Sequence, residues 1–240
     1  MKRFFALTLF LCLIVSSYAQ MKVSQDTLSK KKPFSLASQV VPISLITAGG
    51  LVFISDARVI IQNRMGNMTK TTVDDHIQYV PDLASFGAHF IGWKHKNSLW
   101  DMTKYMAISQ IATCFIVQSF KRAVDFPRPY GGSYSFPSGH TSQAFVGATA
   151  QYNEFIDFKP WFAYCGFAFA TAVGILRVTN NRHWSSDVLA GAGIGMLVTN
   201  LVYHFEPLKD WNPFKKKKYA MIPSLGFQGS TAVASLQISF

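Results

Sequence analysis

Apolar residues fall into helix-length runs through residue 204 and into a strand-like alternation at the end of the chain. Residues 39–55 carry Val40, Val41, Ile43, Leu45, Ile46, Leu51, Val52 and Phe53. That run approaches the roughly 20 residues needed to cross a bilayer. Leu83 to Trp93 is apolar but too short to span, which predicts an interfacial or packed helix. Longer helices are expected at about 103–120, 141–156, 161–176 and 187–204. Ile108, Ile111, Phe115, Ile116 and Phe120 mark the first of them. The helix from 141 carries Gln143, Gln151 and Asn153 and makes the weakest span. Gly191 and Gly195 in the last have the spacing that lets a second helix approach closely. In the tail, Leu236, Ile238 and Phe240 alternate with Gln237 and Ser239, and Gly226 and Gly229 suit a turn. The pattern predicts an all-α fold, a transmembrane helical bundle, with a short C-terminal β-hairpin-like tail.

The ends of the chain have their own character. Lys2 and Arg3 precede an apolar run from Phe4 to Val15, and Ser17-Tyr18-Ala19 suits cleavage before Gln20. Residues 1–19 are expected to be an export signal, with an uncleaved first membrane span as the alternative. Cys12 follows Leu11, which does not fit a lipoprotein signal. Residues 20–38 are largely polar and read as a linker. Residues 39–208 form the helical domain, with its motifs in 100–205, and 209–240 hold a basic segment and the β-like tail.

Composition sharpens this picture. Apolar residues make up 49% of the chain and charged residues 15%, below the roughly 25% charged of a soluble domain. The net charge of +11 admits nucleic acid, anionic lipid or phosphate as partners. Much of the excess sits in Lys30–Lys32 and Lys215–Lys218, which suit membrane flanks, and no basic stripe is interleaved with aromatics, so nucleic acid is not expected. Cys12, Cys114 and Cys165 all lie in apolar stretches and are expected to be small buried hydrophobes.

Three polar segments interrupt the helices, and each puts cations or imidazoles at a helix end: Lys121 to Pro129, Phe136 to Thr141 and Arg177 to Asp187. Antiparallel helices joined by the first two, and by the third, bring these loops to one side of a bundle. Lys121, Arg128 and Arg177 can then surround a phosphoryl group, Arg as a planar fork and Lys as a point charge. Ser138 and Gly139 stand at a helix start, where free N–H groups favour an anion. His183 can attack phosphorus as a neutral imidazole, with Asp187 one turn on to hold its other nitrogen. His140 is left to protonate the departing oxygen. Outside this set, His89, His95 and His204 are expected to be structural, Arg182 to face solvent or headgroups, and Asp74-Asp75-His76 to be a loop or helix start.

The three segments resemble the type 2 phosphatidic acid phosphatase family, which is recognised by Lys, six residues and Arg-Pro; then Pro-Ser-Gly-His; then Arg, five residues, His, three residues and Asp. Here these are Lys121/Arg128/Pro129, Pro137/Ser138/Gly139/His140 and Arg177/His183/Asp187. The resemblance implies a helical bundle, a phosphohistidine on His183, His140 as acid, and no metal or other cofactor. Leu176 departs from it, since the family usually has Ser before the third-motif Arg. The function expected is hydrolysis of a membrane lipid phosphomonoester or diphosphate: phosphatidate, a polyprenyl phosphate or a lipid-anchor phosphate. The alternatives are a broad-specificity exported acid phosphatase acting on soluble esters and an inactive phospholipid-binding membrane protein.

The location expected is the inner membrane of a bacterium. Residue 20 would start outside, 39–55 cross inward and 103–120 cross outward, so the catalytic loops face the periplasm or exterior. Lys94, Lys96, Lys104 and Lys215–Lys218 then fall inside, as the positive-inside rule prefers, while Lys30–Lys32 fall outside against it.

Overall fold

The structure, a computed structural model, describes residues 36–211, 220–228 and 231–239. The expected signal, most of the linker, the Lys30–Lys32 and Lys215–Lys218 runs, Gly229 and Phe240 lie outside those residues. The helices are α1 (Val40–Ile54), entered through a 3-10 turn at Leu36–Gln39, α2 (Ala57–Met65), α3 (Val73–Ile77), α4 (Val80–Phe90), α5 (Leu99–Val124), α6 (Gly139–Phe155), α7 (Pro160–Thr179), α8 (Ser185–His204) and α9 (Glu206–Asp210). Two strands follow, β1 (Ala220–Gln228) and β2 (Thr231–Ser239). The chain divides at Phe205 and Glu206 into two compact units.

Local chemistry sets the long helices' ends. α5 was expected over 103–120 and is longer at both ends. Its start is capped by Ser98, whose Oγ accepts from the Asp101 amide at 3.1 Å, and Lys104 pairs with Asp101 at 2.7 Å. Its last turn carries Lys121 and Arg122, cations suited to the negative end of the helix dipole. Asp125 closes it in the left-handed conformation, φ 39°. α7 opens on Pro160, whose missing N–H costs nothing in a first turn. The mixed stretch 57–102 resolves into α2, α3 and α4. α4, expected at 83–93, lies slightly earlier and packs through Ser85 and Ala88.

α8 is the hub of the first unit, packed by α1, α5 and α6. Its glycines make this possible. A Cβ on Gly195 would sit 2.3 Å from the Ser142 carbonyl oxygen of α6, and one on Gly193 would sit 2.6 Å from the Pro42 carbonyl oxygen of α1. Gly195→Ala must therefore push α6 and α8 apart. Such overpacking costs typically about 1–3 kcal/mol. A lowered Tm in detergent is the expected result, and an unchanged Tm would show that the contact is not close.

Among the described residues, three helical segments are long and apolar enough to cross a membrane: Leu36–Ile54, Pro160–Thr179 and Ser185–His204. α6 is not among them, as its polar residues suggested. Val40, Val41, Leu51 and Ile54 of α1, Ile111 and Phe115 of α5, and Trp161, Tyr164 and Ile175 of α7 are all exposed. Apolar surface of that extent suits lipid rather than water. The bundle is that of a membrane protein. Cys114, expected to be buried, is exposed on α5, and Cys165 is half-buried.

The direction of α1 corrects the expected topology. α1 runs antiparallel to α8: Asn200 reaches the Ser38 carbonyl at 3.4 Å, and Gly49 lies against Ala190. The Phe53 ring meets Phe126 and Phe136 at 4.7 and 4.8 Å. α1 thus ends beside the motif loops. A helix that enters from outside and ends inside cannot do this while those loops face outside. The return to the other end is made by α4, whose Asp82 lies near Gly147 and whose Ala88 lies beside Phe155 and Ala163.

In the second unit β1 and β2 pair antiparallel, from Ala220 opposite Ser239 to Gln228 opposite Thr231. Gly226, expected in the turn, instead lies within β1 opposite Val233.

Candidate active site

Two connections meet at one end of the bundle, α5 to α6 and α7 to α8. In the first, Gly131 and Gly132 take positive φ, 99° and 89°, a conformation open to glycine. The turn they make lets the Arg128 amide donate to the Gly132 carbonyl at 2.9 Å. The indole N–H of Trp184 donates to the Pro127 carbonyl at 2.8 Å and ties the two connections together. The Arg58 guanidinium lies 4.7 Å from the Phe126 ring centre and 5.9 Å from that of Trp184. Between the connections is a cavity of ≈ 240 Å³ whose walls include Lys121, Arg128, Gly139, His140, Arg177 and His183.

His183 is 2% exposed and Asp187, one turn into α8, is fully buried. His183 Nδ1 lies 3.2 Å from Asp187 Oδ2. The same oxygen accepts from the Trp184 amide at 3.0 Å and from the Ser135 hydroxyl, while Oδ1 accepts from Ser186 at 3.2 Å. Donors converge on this carboxylate from several sides and fix it in place. The His183 ring therefore keeps its proton on Nδ1 and turns Nε2, with its lone pair, to the cavity. Burial lowers the His183 pKa to about 4, with Asp187 opposing and Lys121 and Arg177 assisting. The ring is neutral at ordinary pH, as a nitrogen nucleophile must be.

The cations stand around it. Lys121 Nζ donates to the carbonyls of Tyr134 at 2.7 Å and Ser135 at 3.1 Å. Burial, then the charge of Arg128, lowers its pKa to about 8. Arg128 donates to the Ser133 carbonyl at 3.3 Å. Arg177 is 4% exposed, and its Nε is buried without a hydrogen-bond partner.

Of the residues the sequence singled out, six line the cavity, and Asp187 lies behind His183. Ser138 differs. It is fully buried, its Oγ pairs with the Thr141 hydroxyl at 2.9 Å, and its amide donates to the Asp187 carbonyl at 3.0 Å. It caps α6 and ties the α6 start to α8, which leaves Gly139 as the backbone element at the cavity wall. His89 and His95 pair with each other at 2.7 Å, and His204 meets the Asn200 carbonyl at 2.7 Å, away from this cavity.

Two acids that the sequence reading placed at a helix start do begin α3, and they also reach this site. Asp74 Oδ2 accepts from Arg177 Nη1 at 2.7 Å and its Oδ1 from Asn180 at 3.0 Å. Asp75 Oδ1 lies 3.0 Å from Arg177 Nη1 and 3.0 Å from His140 Nε2. The available signal was their rarity, since Asp and Glu number 12 in the whole chain. Among the described residues, no three His, Cys, Asp or Glu side chains gather so as to hold a metal ion.

Residues 98–211 match the PAP2 superfamily. A lipid A 1-phosphatase of Porphyromonas gingivalis is 36% identical over 140 residues, 58% of this chain and 32% of that protein. One of Helicobacter pylori is 30% identical over 105 residues, 40% of this chain and 54% of that protein. The match thus spans between about a third and about half of the length of these relatives. The crystal structure of a transmembrane PAP2-type phosphatidylglycerolphosphate phosphatase from Bacillus subtilis superposes with a TM-score of 0.52 at 20% identity, covering 73% of this chain and 99% of that one. At that identity the likeness shows the fold.

Proposed function

We propose that this chain, whose residues 98–211 belong to the PAP2 superfamily, is a metal-independent phosphatase acting on a membrane lipid phosphate through a phosphohistidine. The observation that carries the reading is the buried His183–Asp187 pair at a cavity walled by Lys121, Arg128, Arg177 and His140. His183 Nε2 attacks phosphorus as the ester bond breaks, and His140 gives a proton to the departing oxygen. Asp187 stabilises the charged ring of His183. His140 then takes a proton from water, whose oxygen displaces His183 and releases inorganic phosphate. Lys121, Arg128, Arg177 and the Gly139 amide hold the equatorial oxygens, in the role a metal plays elsewhere.

The substrate class follows from where the cavity lies. It opens at the end of helices with exposed apolar sides, so a phosphorylated headgroup can enter while its chains stay in lipid. Each methylene kept out of water contributes about 0.8 kcal/mol, which favours a site at the interface. The names of the matching relatives point, within this class, to a lipid A 1-phosphate. The test is catalytic efficiency in EDTA-containing mixed micelles, comparing lipid A and a diacyl phosphate with a soluble monoester of similar leaving-group pKa. Higher efficiency on a lipid is expected. Equal or better turnover of the soluble ester would favour a broad-specificity acid phosphatase, and a requirement for added metal would sink the metal-independent mechanism.

The catalytic end faces the exterior of the inner membrane in this reading. Lys94, Lys96 and Lys159 lie at the opposite end, where α1 starts. The positive-inside rule then puts that end inside, an orientation that stands against the export signal expected for residues 1–19, which would leave the start of α1 outside. The expected result is that Gly132→Cys is labelled by an impermeant thiol reagent in intact cells lacking the outer barrier. Labelling only after lysis reverses the orientation.

A further inference from the structure

Two carboxylate–imidazole pairs stand at this cavity. The first, Asp187 with His183, lies within the family motifs. The second is formed by Asp75 of α3, outside residues 98–211, and His140 of α6. Asp75 is not among the residues lining the cavity. It therefore meets His140 from outside the space a phosphoryl group would fill. With Nε2 bonded to that carboxylate at 3.0 Å, Nδ1 is the ring nitrogen left for the leaving oxygen.

We propose, resting on the phosphatase reading, that Asp75 is a positioning residue for His140: its carboxylate accepts the Nε2 proton, fixes the ring, and stabilises the imidazolium that delivers its Nδ1 proton to the leaving group. The transfer balances simply. The Nδ1–H bond breaks as the new O–H bond forms, the ester P–O electrons stay on the departing oxygen, and His140 becomes neutral and ready to accept a proton from water.

The surroundings support this role. Asp75 sits on a segment clamped to the α7 end: Thr69 N donates to the Thr179 carbonyl at 3.3 Å, Thr71 N to Asn180 Oδ1 at 3.1 Å, and Asn180 Nδ2 back to the Thr71 carbonyl at 2.9 Å. Asp74 beside it is held by Arg177 and Asn180. The position of the Asp75 carboxylate is therefore set by a bonded strap rather than by a free loop. Burial lowers the His140 pKa, the charges of Arg177 and Arg128 add to that, and those of Asp75 and Asp74 oppose it. Asp75 is the one in contact with the ring. Without it, a half-buried imidazole beside two guanidiniums has little reason to hold a second proton.

The experiment compares wild type, Asp75→Asn and Asp75→Glu on an alkyl and an aryl phosphate, with pH dependence, and follows the His140 ring by NMR in detergent. Asp75→Asn should lower kcat on the alkyl ester about tenfold or more, since general acid catalysis by a positioned imidazole contributes 10²–10⁴-fold. The aryl ester, whose leaving group needs less help, should lose much less. The basic limb of kcat should move to lower pH, and Asp75→Glu should restore part of the loss. Equal losses on both esters with an unmoved pH profile would overturn the proposal, as would a lower KM with unchanged kcat, which would make Asp75 a competitor for the phosphate. The His140 titration needs no turnover: its pKa should fall in Asp75→Asn, and an unchanged value overturns the proposal even if wild type hydrolyses neither ester, an outcome that would instead remove the phosphatase reading.

Discussion

His183→Ala is expected to abolish turnover, a loss on the order of 10⁶-fold, the scale seen when the nucleophile of a catalytic triad is removed. Nothing else in the cavity can take over. Lys121 is committed to the carbonyls of Tyr134 and Ser135, and a guanidinium has no lone pair to offer. His140 has its Nε2 on Asp75 and is needed for proton transfer. Alkaline quenching during turnover, which preserves the P–N bond, should trap a phosphoenzyme in the wild type and none in the variant. The pH dependence carries the same assignment. A His whose folded pKa is lowered to about 4 stays neutral above that value and gains its proton only below it. In the free enzyme, kcat/KM should therefore hold at mildly acidic pH and fall as pH drops through that region. Retention of near-wild-type rate by His183→Ala would end the phosphohistidine mechanism.

The gathering of these residues at one cavity was legible in the sequence because short fixed spacings at helix ends carry geometry. Four positions from His183 to Asp187 are about one helical turn. Helix existence was equally legible, and the boundaries of α5 were missed because caps and charged pairs at its ends extend it beyond the apolar run. Ser138 was expected at the phosphate and acts as a cap, because its hydroxyl cannot both pair with Thr141 and face the cavity. What could not be read was α2 and the place of α3. The contacts that fix them join Asp74 to Arg177 and Gln62 to Val178, more than a hundred positions apart, and no local period records such pairs. The same holds for the direction of α1, which is set by glycine contacts with α8 that hydropathy does not encode.

Asp187→Asn should lower kcat by about 10⁴-fold while leaving the fold and substrate affinity nearly intact, by analogy with the acid-to-amide change in a catalytic triad. The side chains are nearly isosteric, so packing at this fully buried position is retained. The hydrogen bonds are not. Asp187 accepts from His183 Nδ1, the Trp184 amide and the hydroxyls of Ser135 and Ser186. An amide offers one accepting atom and one donating group where the carboxylate offers two acceptors. If the Asn oxygen stays with the Trp184 amide, which also helps start α8, it keeps Ser135 and His183 Nδ1 as well, and its NH₂ faces the Ser186 hydroxyl, which can rotate to accept. If the NH₂ faces His183, Nδ1 must become an acceptor and the proton moves to Nε2. The nitrogen that should attack phosphorus then carries a hydrogen instead of a lone pair. Either arrangement also removes the negative charge that stabilises the imidazolium of the intermediate. The expected signature is a large fall in kcat with little change in KM and an unaltered Tm. A parallel fall in Tm would assign Asp187 to structure, and an unchanged kcat would remove it from the catalytic machinery.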